Sequence, residues 1–120
     1  MSRNNRNNRI DYIELPADGV GALTAARTFY ASVFGWSYTT WGEDYVDTHD
    51  SGTGSGLNAD AVHRPLAPLA VIFADDLEGR RTDVVKAGGT ITKEIFSFPG
   101  GRRFHFRDPA SNELAVWSDR

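Results

Sequence analysis

The chain of 120 residues contains no cysteine. Disulfides, thiolate metal sites and a cysteine nucleophile are thereby excluded, and the composition suits a reducing compartment. No apolar run approaches the roughly 20 residues needed to span a bilayer, and the first residues lack the apolar centre of a signal peptide. The expected setting is therefore cytoplasmic, with no membrane partner. Neither sign of charge dominates: 13 Lys and Arg against 16 Asp and Glu give a net charge of −3. Beyond residue 9 the two signs are interspersed, so no basic face suggests nucleic acid. Proline is also scarce, at five, whereas glycine is frequent, at twelve. With 40% apolar residues the chain can form one compact core. The expected organisation is a loose tail over residues 1–8, rich in Asn and Arg, and a single domain over 9–120.

Local patterns give that domain an internal repeat. Strand-formers Ile10, Tyr12, Ile13 and Leu15 precede Pro16, which cannot continue a ladder. Ala22, Ala26, Phe29, Tyr30, Val33 and Phe34 then recur at helical spacing and end on Gly35, a favourable C-cap. WSYTTW and DYVDTH read as two strands turning at Gly42, followed by DSGTGSG as a flexible loop, either a plain connection or a lid. After a connector at residues 64–68, Leu69 to Ala74 is an apolar strand, and Asp75 and Asp76 can cap a helix reaching about Ala87. TITKEIF, RRFHFR and NELAVWS supply three further strands. Each half is too small to bury its own sheet face.

FYASVFGW, residues 29–36, and FHFRDPASNELAVW, residues 104–117, resemble the vicinal-oxygen-chelate superfamily of glyoxalases, extradiol dioxygenases and bleomycin-resistance proteins. The matching positions are Phe29, Tyr30, Phe34, Gly35 and Trp36, then Asp108, Pro109, Asn112 and Glu113, with Ser111 where glycine is usual. The resemblance implies an α+β fold of two βαβββ modules, about 9–63 and 69–120, forming a cupped mixed sheet. It also implies a homodimer that closes exposed edges. Metal enzymes of the family place His or Glu at positions that align here with Tyr12, Leu69 and Ala115. A phenol, an isobutyl group and a methyl do not hold a divalent ion, so the expectation is no metal and no cofactor.

Alternation along strands then gives an expected ligand-binding face: Tyr12 and Glu14; Leu69, Val71 and Phe73; Glu113, Ala115 and Trp117. Trp41 is a further stacking candidate beside Trp36 and Tyr45. Glu14, set between Ile13 and Leu15, is costly to bury unless paired, protonated or solvated by a cleft. It reads equally as a base or binding group and as the structural partner of Arg102 or Arg103. His105 alternates with Phe104 and Phe106 and faces a cavity if they face the core, whereas His49 and His63 read as exposed residues. The catalytic candidates are thus Glu14, Tyr12 and His105. Three readings remain open: a metal-free binder of a small organic molecule, an enzyme of lyase, isomerase or dioxygenase type using a relocated metal or an acid/base pair, and an accessory domain filled by its own side chains.

Overall fold

The structure is a computed structural model that describes residues 6–120. The elements follow as β1 (Arg9–Pro16), α1 (Val20–Phe34), β2 (Thr39–Thr40), β3 (Tyr45–Thr48), β4 (Gly54–Asn58), β5 (Leu69–Phe73), α2 (Leu77–Lys86), β6 (Thr90–Phe98), β7 (Gly101–Arg107) and β8 (Glu113–Ser118). This is βαβββ twice, the expected α+β plan. Contacts group the chain into Tyr12–Leu69 and, as a second unit, the residues up to Asp11 together with Ala70–Arg120.

In the first unit the strands lie in the order β2-β3-β4-β1. β1 runs parallel to β4, with Glu14 opposite Gly56, and β4 pairs antiparallel with β3, with Tyr45 opposite Asn58. Leu23 of α1 packs on Val46, Leu57, Ala17 and Ala59, with Leu15, Ala26 and Tyr30 at the margin. Gly35 closes the helix in the left-handed conformation at φ 76°, which costs glycine little. The helix does not bury the stripe its spacing predicts: Phe29, Val33 and Phe34 are 54–59% exposed. A 15-residue helix on a four-stranded sheet covers only one face, and Leu23, Ala26 and Tyr30 occupy it.

A second correction concerns the segment read as a Gly/Ser loop. Residues 50–53 do turn, but Gly54–Asn58 is a strand, largely buried, that pairs with both β1 and β3. Glycine within a strand often marks the close approach of another group. Here a Cβ at Gly56 would lie 2.0 Å from the Tyr12 hydroxyl and 2.6 Å from that of Tyr45.

The second unit orders its strands β5-β8-β7-β6, with β5 parallel to β8. Asp76 caps α2 by accepting from the Gly79 N–H, as its position predicts. Leu77, Ala74, Phe104 and Val116 form the core beneath that helix, flanked by Ile72, Val84 and Phe106. At the β7–β8 turn the Asp108 carboxylate accepts from the backbone N–H groups of Ala110 and Asn112 and from the Asn112 side chain. Ser111, where the resemblance has glycine, takes the left-handed backbone at φ 69°. Of the segment read as a loose tail, residues 1–5 lie outside the described residues, and residues 6–8 are tied down. The Asn8 N–H donates to the Phe73 carbonyl, the Asn7 side chain accepts from the Asp75 N–H, and the Arg6 guanidinium lies 3.9 Å over the Phe73 ring.

Candidate functional site

Strand alternation sends Leu15 to the helix side of the first unit and Tyr12 and Glu14 to the other face. Because Glu14 is opposite Gly56 and Tyr45 opposite Asn58, four polar side chains meet there over one glycine. Glu14 is 0% exposed. Its Oε1 accepts from the Tyr45 hydroxyl at 3.1 Å and its Oε2 from Asn58 Nδ2 at 3.2 Å. A buried carboxylate is tolerated only with such donors. The Tyr12 and Tyr45 hydroxyls are 2.5 Å apart. Since Tyr45 has one hydrogen and gives it to Glu14, Tyr12 supplies the hydrogen between the two phenols. The result is a directed chain, from half-buried Tyr12 through Tyr45 to Glu14. Burial, reinforced by the adjacent Glu14 and Tyr12, pushes the Tyr45 phenol far above the usual tyrosine range. It therefore stays a neutral donor.

In the second unit His105 is 1% exposed. Phe104 and Phe106 belong to the core under α2, so His105 lies on the opposite face, as alternation requires. Its Nδ1 is 3.7 Å from Glu113 Oε2, the oxygen that also accepts from Thr92 at 2.7 Å. Val71 and Ala115 face each other across β5 and β8, as do Phe73 and Trp117, whose rings meet edge to face at 5.1 Å. Val71, Phe73 and Ala115 are at most 3% exposed, as is Leu69, so these members of the expected lining are packed. The Trp117 indole donates to Asp11 at 3.0 Å. Burial raises the Asp11 pKa, against the lowering effects of that hydrogen bond and of Arg6.

Other candidates fall outside these clusters. Trp41 follows the two-residue strand β2, its backbone N–H bonded to the Tyr45 carbonyl and its side chain 57% exposed. His49 is exposed, and His63 is exposed and paired with Asp60 at 2.8 Å. Arg102 bonds Glu78 and the Arg120 carbonyl. Arg103 is 9% exposed and lies over the Phe96 and Phe98 rings. Sequence reasoning missed Asn58 and Gly56. The signal was the pair of small residues two apart in GSGLN, readable as a strand approached closely by bulky neighbours.

The metal implied by the resemblance does not fit the side chains present. Tyr12, Leu69 and Ala115 stand where ligands are expected, and among the described residues no three His, Cys, Asp or Glu side chains cluster to hold an ion. Among the described residues no helix is long and apolar enough to cross a membrane.

Neither a protein-family profile nor a curated protein matches the sequence. Solved structures do match the fold. The NAD-dependent benzaldehyde dehydrogenase from Legionella pneumophila shares 10% identity at a TM-score of 0.72, over 89% of this chain and 96% of that one. A glyoxalase/bleomycin resistance protein/dioxygenase superfamily member from Vibrio splendidus 12B01 shares 15% at 0.68, over 89% and 96%. The Mn(II)-bound glyoxalase from Novosphingobium aromaticivorans shares 22% at 0.67, over 95% of this chain but only 40% of its own length. Such different activities on one scaffold mean that the likeness carries no function by itself. What the repeat of βαβββ and these matches establish together is that this chain has the glyoxalase/bleomycin-resistance fold of the vicinal-oxygen-chelate proteins.

Proposed function

We propose that the protein binds a small organic molecule without a divalent metal, using the Tyr12 end of the Tyr12–Tyr45–Glu14 chain as its polar anchor. The observation that carries this reading is the orientation of the chain. Glu14 fixes the Tyr45 hydrogen, Tyr45 fixes the Tyr12 hydrogen, and the half-buried Tyr12 hydroxyl stands at the end of the chain away from the fully buried Glu14. An anchor set in advance by buried partners loses little freedom on binding. Pairing with a second copy belongs to the same reading, because Phe29, Val33 and Phe34 leave an apolar helix face open to solvent.

Two measurements test it. Elemental analysis of tag-free, dialysed protein should find no stoichiometric zinc, nickel, manganese or iron, and near-stoichiometric metal would overturn the metal-free reading. A thermal-shift screen of small aromatic compounds and antibiotics should give hits that Tyr12→Phe and Glu14→Gln both weaken. Hits indifferent to both substitutions would remove the anchor from the site.

One observation favours a second reading, an acid/base enzyme. The same chain is a path along which a proton taken up at Tyr12 can be passed by way of Tyr45 to Glu14. In that case Tyr12→Phe would abolish turnover while leaving substrate affinity within a few fold. Loss of binding without any detectable turnover would support the binder instead.

A further inference from the structure

A pocket lies on the helix side of the first unit's sheet, opposite the face that carries Tyr12 and Glu14. Ile13 and Leu15 alternate with Tyr12 and Glu14 along β1, and together with Tyr30, Trp36, Ser51, Thr53 and Ser55 they line a cleft of about 190 Å³. None of these seven side chains carries a charge at neutral pH. Tyr30 and Trp36 stack at 5.2 Å with 21° between their rings and form an aromatic wall. Hydroxyls are contributed by the 50–53 turn and the start of β4.

Size selects the class of ligand. A cavity of roughly 150 Å³ accepts benzene, whereas drug-sized ligands need roughly 300 Å³ or more. The cleft therefore suits one ring. The hydroxyls select the substituent. Ser51 gives its hydrogen to the Thr53 carbonyl at 2.5 Å, so the 2.7 Å contact between Ser51 and Ser55 uses the hydrogen of Ser55. Ser55 Oγ is then held with its lone pairs unused, in a residue 8% exposed. It can accept a hydrogen bond from a ligand but has no hydrogen left to give. A carboxylate or phosphate finds no cation among these residues to offset its charge.

We infer that this cleft is a binding site for a neutral one-ring aromatic molecule bearing a single hydroxyl or amino donor, as in the phenols and anilines. The ring packs between Ile13, Leu15 and the Tyr30/Trp36 wall, and its O–H or N–H donates to Ser55 Oγ. The site is distinct from the Tyr12 anchor and does not depend on it.

Phenol and toluene are the probes, titrated into the full chain with tryptophan emission excited at 295 nm as the readout. Phenol should give a saturable change that is lost in Trp36→Phe, because Trp36 lines the cleft. Phenol should also bind about tenfold more tightly than toluene, the factor given by one hydrogen bond. Ser55→Val should remove that preference by weakening phenol about tenfold while toluene is unchanged. Thr53→Phe, at an exposed residue on the rim, should exclude both probes and keeps the test open if the Ser55 variant does not fold. Non-saturable binding, equal affinity for the two probes in wild type, or phenol binding untouched by Thr53→Phe would overturn the assignment.

Discussion

Replacing Gly56 by alanine tests whether the Tyr12–Tyr45–Glu14 chain is built as described. The added methyl would sit 2.0 Å from the Tyr12 hydroxyl and 2.6 Å from the Tyr45 hydroxyl, so both phenols must withdraw. Withdrawal breaks the hydrogen bond from Tyr45 to Glu14, worth roughly 1.5–3 kcal/mol for a charged acceptor, and the one between the phenols, worth about 1 kcal/mol. Alanine returns about 0.4–1 kcal/mol by restricting the unfolded chain, since Gly56 does not need a left-handed backbone. Partial relaxation of two ring tips reduces the rest, leaving a net loss of roughly 2 kcal/mol, or on the order of 8 °C in Tm for a chain of this size. Circular dichroism melts at neutral pH would measure it. The double variant Gly56→Ala with Tyr12→Phe removes the nearer clash, so it should be less destabilised than the sum of the single changes by about 1 kcal/mol. An unchanged or raised Tm for Gly56→Ala, or strict additivity in the double variant, would refute the idea that this glycine is kept for the phenols.

Other outcomes follow from the same structure. Hydrogen bonds from the Asn112 backbone and side chain and from the Ala110 N–H hold the Asp108 carboxyl below the usual range. Its contribution is therefore present above the unfolded value of about 3.9 and lost as pH falls through the lower folded value, so Asp108→Ala should flatten the acid limb of a stability profile. Burial raises the phenols of Tyr45 and Tyr38; the stability linked to them is complete below about pH 10 and declines at higher pH. Absorbance at 295 nm should show fewer tyrosines ionised at pH 11 in native than in unfolded protein, and equal numbers would contradict this. Phe104, 0% exposed beneath α2, should cost roughly 3–5 kcal/mol on truncation to alanine, whereas Phe34→Ala, at a residue 59% exposed, should leave the Tm of the monomer within about 2 °C; urea melts of both variants settle the comparison.

Much of this architecture was legible because the signals were local. Caps such as Asp76 and Gly35, the alternation of Phe104, His105 and Phe106, and the turn at Asp108 depend on neighbours within a few residues. Residues 54–56, which open the strand Gly54–Asn58, read as part of a loop because Gly56 answers to Tyr12 and Tyr45, more than ten residues away along the chain. The face of α1 was misjudged for a similar reason: six apolar positions from Ala22 to Phe34 satisfy helical spacing, and only the sheet beneath decides that Leu23, which is not one of them, is buried and Phe34 is not. At the candidate site, Tyr12 and Glu14 stood out as a phenol and a carboxylate on an apolar strand. Asn58 did not, because its role is fixed by the register of β3, β4 and β1 and not by its own surroundings in the sequence.

The tether made by residues 6–11 bears on how the chain folds. The Asp11 carboxylate meets Trp117 across 106 positions, Arg6 meets Asp119 across 113, and Asn7 meets Asp75 across 68. Contacts this remote in sequence carry a loop-closure cost and slow the search for the native state. During synthesis the unit that holds these residues cannot close until its last strand has emerged, whereas Tyr12–Leu69 has all its partners much earlier. Residues 6–11, made before every other part of their unit, are thus among the last to settle.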